Sequence, residues 1–132
     1  MTIMPWEMPI ITLSNGLRVG NFSSPHPFTF TDGSVLPACS DDRSRRGKLD
    51  AVEILHPGIR GTTDIEVSFK LNPIVLEMID EAEASNCDVI LVPFPVLRAM
   101  KDEDYFLVGM KCRVIRSADR ITKEIHIDRF CI

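Results

Sequence analysis

The chain has 132 residues, 45% of them hydrophobic and 26% charged, with a formal net charge of -4. That length suits one domain with its own core, and the composition excludes a disordered or collagen-like chain. The negative balance argues against a general nucleic-acid binder, whose footprint is basic, and no run approaches the ~18 apolar residues of a membrane span.

The opening "MTIMPWEMP" carries no element signal and reads, over residues 1–9, as linker-like. In "PIITLSNGLRVGNF" two short apolar runs flank Asn15-Gly16, a pair suited to a type I′ hairpin turn, which predicts strands at about 10–14 and 17–22. "SSPHP" follows, with prolines on both sides of His26 that hold it extended and away from a sheet centre. "FTFTDGSVL" is a second hairpin signal with Asp32-Gly33 at its turn. A charged loop over residues 40–49 separates it from "LDAVEIL", an alternating strand.

"HPGIRGTT" is a loop by its proline and glycines, and "DIEVSFKL" alternates again. Ile65, Val67 and Phe69 share one face of that strand and Glu66, Ser68 and Lys70 the other, the pattern of a half-buried strand. A helix over 72–85 follows, with Asn72 as N-cap, Pro73 in the first turn, and Leu71, Val75, Met78, Ile79 and Ala82 at three- to four-residue intervals. "DVILVP" reads as a strand buried on both faces, so strand, helix and strand here predict a βαβ unit. A short helix over 95–102 comes next. "YFLVGMKCRVIRSADRITKEIHIDRFCI" reads as a C-terminal hairpin turning at 117–120, with Ile121, Ile125 and Ile127 facing inward.

The densest chemistry lies in "LPACSDDRSRRGK". Cys39 and Arg45 have the C-x5-R spacing of cysteine phosphatases, in which a thiolate attacks phosphorus inside a cradle of N–H groups. Asp41 and Asp42 would repel the phosphate and raise the thiol pKa, and no glycine eases the loop. Cys39 therefore reads better as a packed small hydrophobe. The cations Arg43, Arg45, Arg46 and Lys48 remain as contacts for an anion, against the plainer reading of a solvated loop neutralised by its own aspartates. Arg60 and Thr62, in the glycine-bearing loop, offer a second anion contact. The two loops flank one strand at opposite ends, roughly 20 Å apart by the rise per residue, so they would form one site only across an oligomer.

Glu124, His126 and Asp128 alternate on the expected last strand, with His126 as a weak acid/base candidate. Residues two apart on a strand splay, so no metal site is implied. Glu81 and Glu83 sit near a helix C-terminus, where negative charge is unfavourable; Arg113, Arg116 and Arg120 are candidate partners. Cys39, Cys87, Cys112 and Cys131 contain no C-x-x-C pair, and nothing resembles a secretory signal, so reduced thiols in a cytoplasmic, intracellular protein are expected.

The expectation is a compact single α+β domain over residues 1–132. It would have a mixed sheet of about five to seven strands, one main helix, a short second helix and a C-terminal hairpin. One helix layer leaves a sheet face to be covered by that hairpin or by another subunit, which favours a homo-oligomer, most simply a dimer. Functionally, a non-enzymatic module binding an anionic, nucleotide-like small molecule is favoured, of the size of a virus-encoded sponge or inhibitor, with no cofactor implied. A protein–protein interaction or oligomerisation module is the second reading. A small hydrolase or transferase using Cys39 or a histidine is the third, because no nucleophile, base and oxyanion set can be assembled.

Overall fold

The computed structural model describes residues 7–103 and 111–132. Residues 1–6 of the expected linker and "YFLVGM" of the C-terminal segment lie outside them. The α+β class holds. Among the described residues, however, eight strands are divided among three sheets rather than gathered into one of five to seven.

The central sheet has the order β1-β2-β7-β8. It contains β1 (Ile10–Thr12), β2 (Arg18–Asn21), β7 (Val89–Leu91) and β8 (Cys112–Arg113). β1 runs antiparallel to β2, and β2, β7 and β8 run parallel. The predicted first hairpin is present, but its turn is not type I′. The Gly16 N–H donates to Leu13 O at 2.9 Å and the Leu13 N–H to Leu17 O at 2.8 Å, with Gly16 at φ 86° and Asn15 outside the positive-φ region. This is a three-residue loop whose glycine alone takes the left-handed conformation. Asp32-Gly33 repeats it between β3 (Phe28–Thr29) and β4 (Val35–Leu36), with Gly33 at φ 86°. Asp32 ties the two turns together, accepting from Ser14 N–H and Ser34 N–H, both at 2.8 Å. These two bonds hold its carboxyl down at about 2.

The charged loop contains a short helix, α1 (Asp41–Ser44), in place of an unstructured connection. Ser40 caps it by accepting from Arg43 N–H, and Asp41 and Asp42 occupy the first turn, where negative charge is favourable. α2 (Pro73–Ala84) and α3 (Phe94–Asp102) match the two predicted helices. Asn72 Oδ1 accepts from Ile74 N–H at 3.0 Å, and Asn86 ends α2 at φ 58°.

Two cores sandwich the central sheet. On one face Val75, Met78 and Ile79 of α2 and Val96, Leu97 and Met100 of α3 pack with Phe22, Ile90 and Cys112. On the other, Val19, Val89 and Leu91 meet Phe30, Leu36 and Ile125. Residues Val89, Ile90 and Leu91 thus alternate between the two cores, as a strand buried on both faces requires. A Cβ at Gly20 would overlap the Met8 side chain, which lies against β2.

The remaining strands, β5 (Leu49–Pro57) and β6 (Thr63–Leu71), form a separate antiparallel ribbon. Two expectations fail here. The segment β6–α2–β7 is not a βαβ unit, because β6 lies outside the sheet of β7; the parallel neighbours joined through a helix are β7 and β8, by way of α3. Ile65, Val67 and Phe69 do share a face, but it is exposed and not half-buried. The last segment also departs from a regular hairpin. Among the described residues its two arms meet only at the bridges Val114↔Cys131 and Ser117↔Ile125, and Ile121, expected to face inward, is 91% exposed. Asp119 diverts the chain there by accepting from Ile121 and Thr122 N–H, and Lys123 follows at φ 57°. This segment and the β3–β4 hairpin cover the sheet face opposite the helices, so a second subunit is not needed there.

Candidate functional site

The predicted site residues do not come together. Arg43 is 1% exposed and belongs to the core. Its Nε donates to Phe22 O at 2.7 Å, its guanidinium lies 5.8 Å from the Phe22 ring centroid, and its Nη1 reaches Glu81 Oε2 at 3.3 Å. Among the described residues, Glu81 thus has Arg43 as its cation. Arg45 and Arg46 line an open depression with Asp41 and Asp42, and Arg46 pairs with Asp42 at 3.4 Å. Arg60 and Thr62 stand at the far tip of the β5–β6 ribbon. Arg60 there has φ 51° and Gly61 φ 82°, the two positive values of a type I′ turn.

Cys39 is buried, and its Sγ donates to Asn21 O at 3.1 Å. Burial raises its thiol pKa against the opposing pull of Arg43 and Lys48. Burial also pushes Cys112 up to about 12 and raises Cys87. These are packed thiols, without the thiolate character of a nucleophile. His126 is half-buried in the irregular last segment, where Glu124 and Asp128 share no strand with it. Among the described residues no three His, Cys, Asp or Glu side chains are grouped as metal ligands, and no helix is long and apolar enough to cross a membrane.

Lys48 lies elsewhere, on a cavity of about 380 Å³. The cavity sits where the three parallel strands end, beside the residues that follow β2 (Ser23, Ser24, Pro25), β7 (Val92, Pro93, Phe94) and β8 (Val114, Ile115). The chain leaves β2 toward the β3–β4 face and leaves β7 toward the α3 face, so a crevice opens between them. Ligands of open parallel sheets bind at such a divergence beyond the strand carboxyl ends. Its size and largely apolar lining are those of a small-molecule pocket.

Two features give it chemistry. Phe28 and Phe94 enter from the two faces and supply ring surfaces. Lys48 Nζ donates to Ser44 O at 2.8 Å and Arg46 O at 3.3 Å, which fixes its stem and leaves one of its three donors unassigned. Burial lowers its pKa. Ser23 also borders the cavity, but its Oγ is enclosed by protein and has no hydrogen-bond partner among the described residues. Such a buried hydroxyl is costly.

Asn21, fully buried at the end of β2, shapes this wall. Its Nδ2 donates to Ser24 O and Pro37 O at 3.2 and 3.0 Å, and its Oδ1 accepts from Ser24 N–H at 2.8 Å. Sequence reasoning identified Lys48 but missed Asn21, Ser23, Phe28 and Phe94. The available signal was "NFSSPHPF", a polar, proline-broken segment directly after a strand. It points to a site only once β2 is known to be parallel to β7. No protein-family model, curated protein or solved structure matches this chain.

Proposed function

We propose that this protein is a non-catalytic binding module that holds an anionic small molecule with a ring-sized apolar body, such as a mononucleotide. The ligand sits in the cavity at the carboxyl ends of β2, β7 and β8. The observation that carries this reading is the apolar cavity itself, which lies at the ends of the parallel strands and meets two aromatic rings and a cation, Lys48. The ring lies between Phe28 and Phe94, and Lys48 neutralises the ligand's charge. The anion contact is thus transferred from the arginines to the lysine of the same loop. The described residues that line the cavity are mostly apolar, with three serines and Lys48 as its polar side chains.

The test is ligand-induced thermal stabilisation with the four ribonucleoside monophosphates as probes. At least one is expected to raise Tm in the wild-type chain and in Arg45→Ala/Arg46→Ala. The shift should be lost in Lys48→Met and Phe94→Ala. No stabilisation by any probe, or stabilisation that Lys48→Met leaves intact, overturns the reading. The interaction-module reading keeps one observation of its own, the exposed apolar face of the β5–β6 ribbon.

A further inference from the structure

We propose that two copies of this chain pair through the outer edges of β6, antiparallel and centred on Val67, to make a four-stranded sheet from two ribbons. This inference is independent of the ligand reading.

The register of the ribbon dictates which backbone groups are free. Asn72 N–H donates to Lys48 O at its base and Gly58 N–H to Thr62 O near its tip, both joining the two chain segments of the ribbon. Bonding alternates along an antiparallel pair, so Asp64, Glu66, Ser68 and Lys70 direct their backbone groups to β5. Thr63, Ile65, Val67, Phe69 and Leu71 direct theirs outward. The Leu71 N–H confirms the parity, donating to Glu103 Oε2 of the chain beyond α3 at 2.7 Å. Among the described residues nothing bonds the outward groups of Ile65, Val67 and Phe69. A groove of about 410 Å³ lies between Val67, Phe69 and Lys70 of β6 and Pro95, Arg98 and Ala99 of α3.

The ribbon is also amphipathic. Paired positions Ala51/Phe69, Glu53/Val67 and Leu55/Ile65 occupy one face, and Asp50/Lys70, Val52/Ser68, Ile54/Glu66 and His56/Asp64 the other. Leu55, Ile65, Val67 and Phe69 are 49 to 66% exposed. A two-stranded ribbon with an uncovered apolar face is marginal alone, and its bare edge is a template for another strand.

The sequence of β6 selects a second copy as that strand. With Val67 opposite Val67 of the second copy, Ile65 faces Phe69, Glu66 faces Ser68, and Asp64 faces Lys70. Apolar residues meet apolar residues, and opposite charges meet twice by symmetry. The same operation brings the Ile65 of each copy into the groove of the other, on the side of Pro95 and Ala99. The β5 edge offers no equivalent. Its central Glu53 would face itself, and Pro57, whose position points outward, has no N–H to give.

Sedimentation equilibrium of the full chain tests this. The wild type is expected to show a monomer–dimer equilibrium. Val67→Pro removes only an outward N–H and should give a folded monomer. Asp64→Lys should weaken the dimer by about tenfold, because two symmetry-related pairs become repulsive, and Asp64→Lys/Lys70→Asp should restore it. If Val67→Pro fails to fold, the charge reversal and its rescue decide the matter. A wild-type chain that stays monomeric, a dimer that a folded Val67→Pro variant retains, or a double reversal that does not restore association overturns the proposal. Amide exchange on a monomeric wild type that finds Val67 protected would assign the edge to another segment of the same chain, and would overturn it equally.

Discussion

Replacing Arg43 by Ala separates a structural arginine from a ligand-binding one. Arg43 contributes a charge-assisted bond to Phe22 O, which is worth roughly 1.5–3 kcal/mol when buried. Its contact with the Phe22 ring adds roughly 0.5–1 kcal/mol. The pair with Glu81 adds at most about 1 kcal/mol, because the Glu81 side chain is 36% exposed and solvent screens it. Allowing for the desolvation recovered when a charge leaves the interior, the net cost of Arg43→Ala is about 3 kcal/mol. For a chain of this length that lowers Tm by roughly 10 °C. Urea unfolding of Arg43→Ala and Glu81→Gln, with Tm in parallel, provides the assay, and Glu81→Gln should cost about 1 kcal/mol or less. An Arg43→Ala variant that melts with the wild type would refute the burial argument. So would a Glu81→Gln variant that loses as much as Arg43→Ala, since the exposed pair would then dominate.

Ser23→Ala should stabilise the ligand-free chain by about 1 kcal/mol in urea, because it removes a buried hydroxyl without removing a bond. A loss of stability instead would mean that Oγ is already bonded. Asp32 is held at about 2, below its ordinary value of 3.8. Its contribution to stability is therefore present above the ordinary value and is lost as pH falls through about 2. Asp32→Ala should melt below the wild type at neutral pH, with the gap closing across that acid window; a gap independent of pH would refute the tie between the two turns. Cys39→Ala should leave thermal stabilisation by the nucleotide probe intact, since the buried thiol does not line the cavity; loss of that stabilisation would place the thiol in the site.

The local code was readable where one segment contained the whole cause. Asn72 and Pro73 start α2, Asn86 ends it, and Val89–Leu91 reads as a doubly buried strand because every residue is apolar. The Ser40 cap followed by Asp41 and Asp42 is also a helix signal, but the helix is only four residues long and has no apolar periodicity to mark it. What depended on distant pairing was not readable. Whether β7 joins β6 or β2 is decided by contacts between segments far apart in the chain, and strand periodicity is silent about it. The ribbon illustrates the same limit. Alternation in β6 correctly placed Ile65, Val67 and Phe69 on one face, but alternation cannot say whether that face meets a core or solvent. The arginine-rich loop misled because charge density does not guarantee exposure. Arg43 is enclosed by Phe22 and Glu81, which come from other parts of the chain, and of the four cations in that loop Lys48 is the one that reaches the cavity.

The most direct test of the cavity is an amide chemical-shift map of the full chain during titration with a ribonucleoside monophosphate. Shifts are expected to centre on Ser23, Ser24, Phe28, Lys48 and Phe94, and to vanish in Lys48→Met. Shifts centred on Asp41–Arg46 or on the ribbon tip at Ile59–Gly61, or no shifts with any of the four probes, would contradict it.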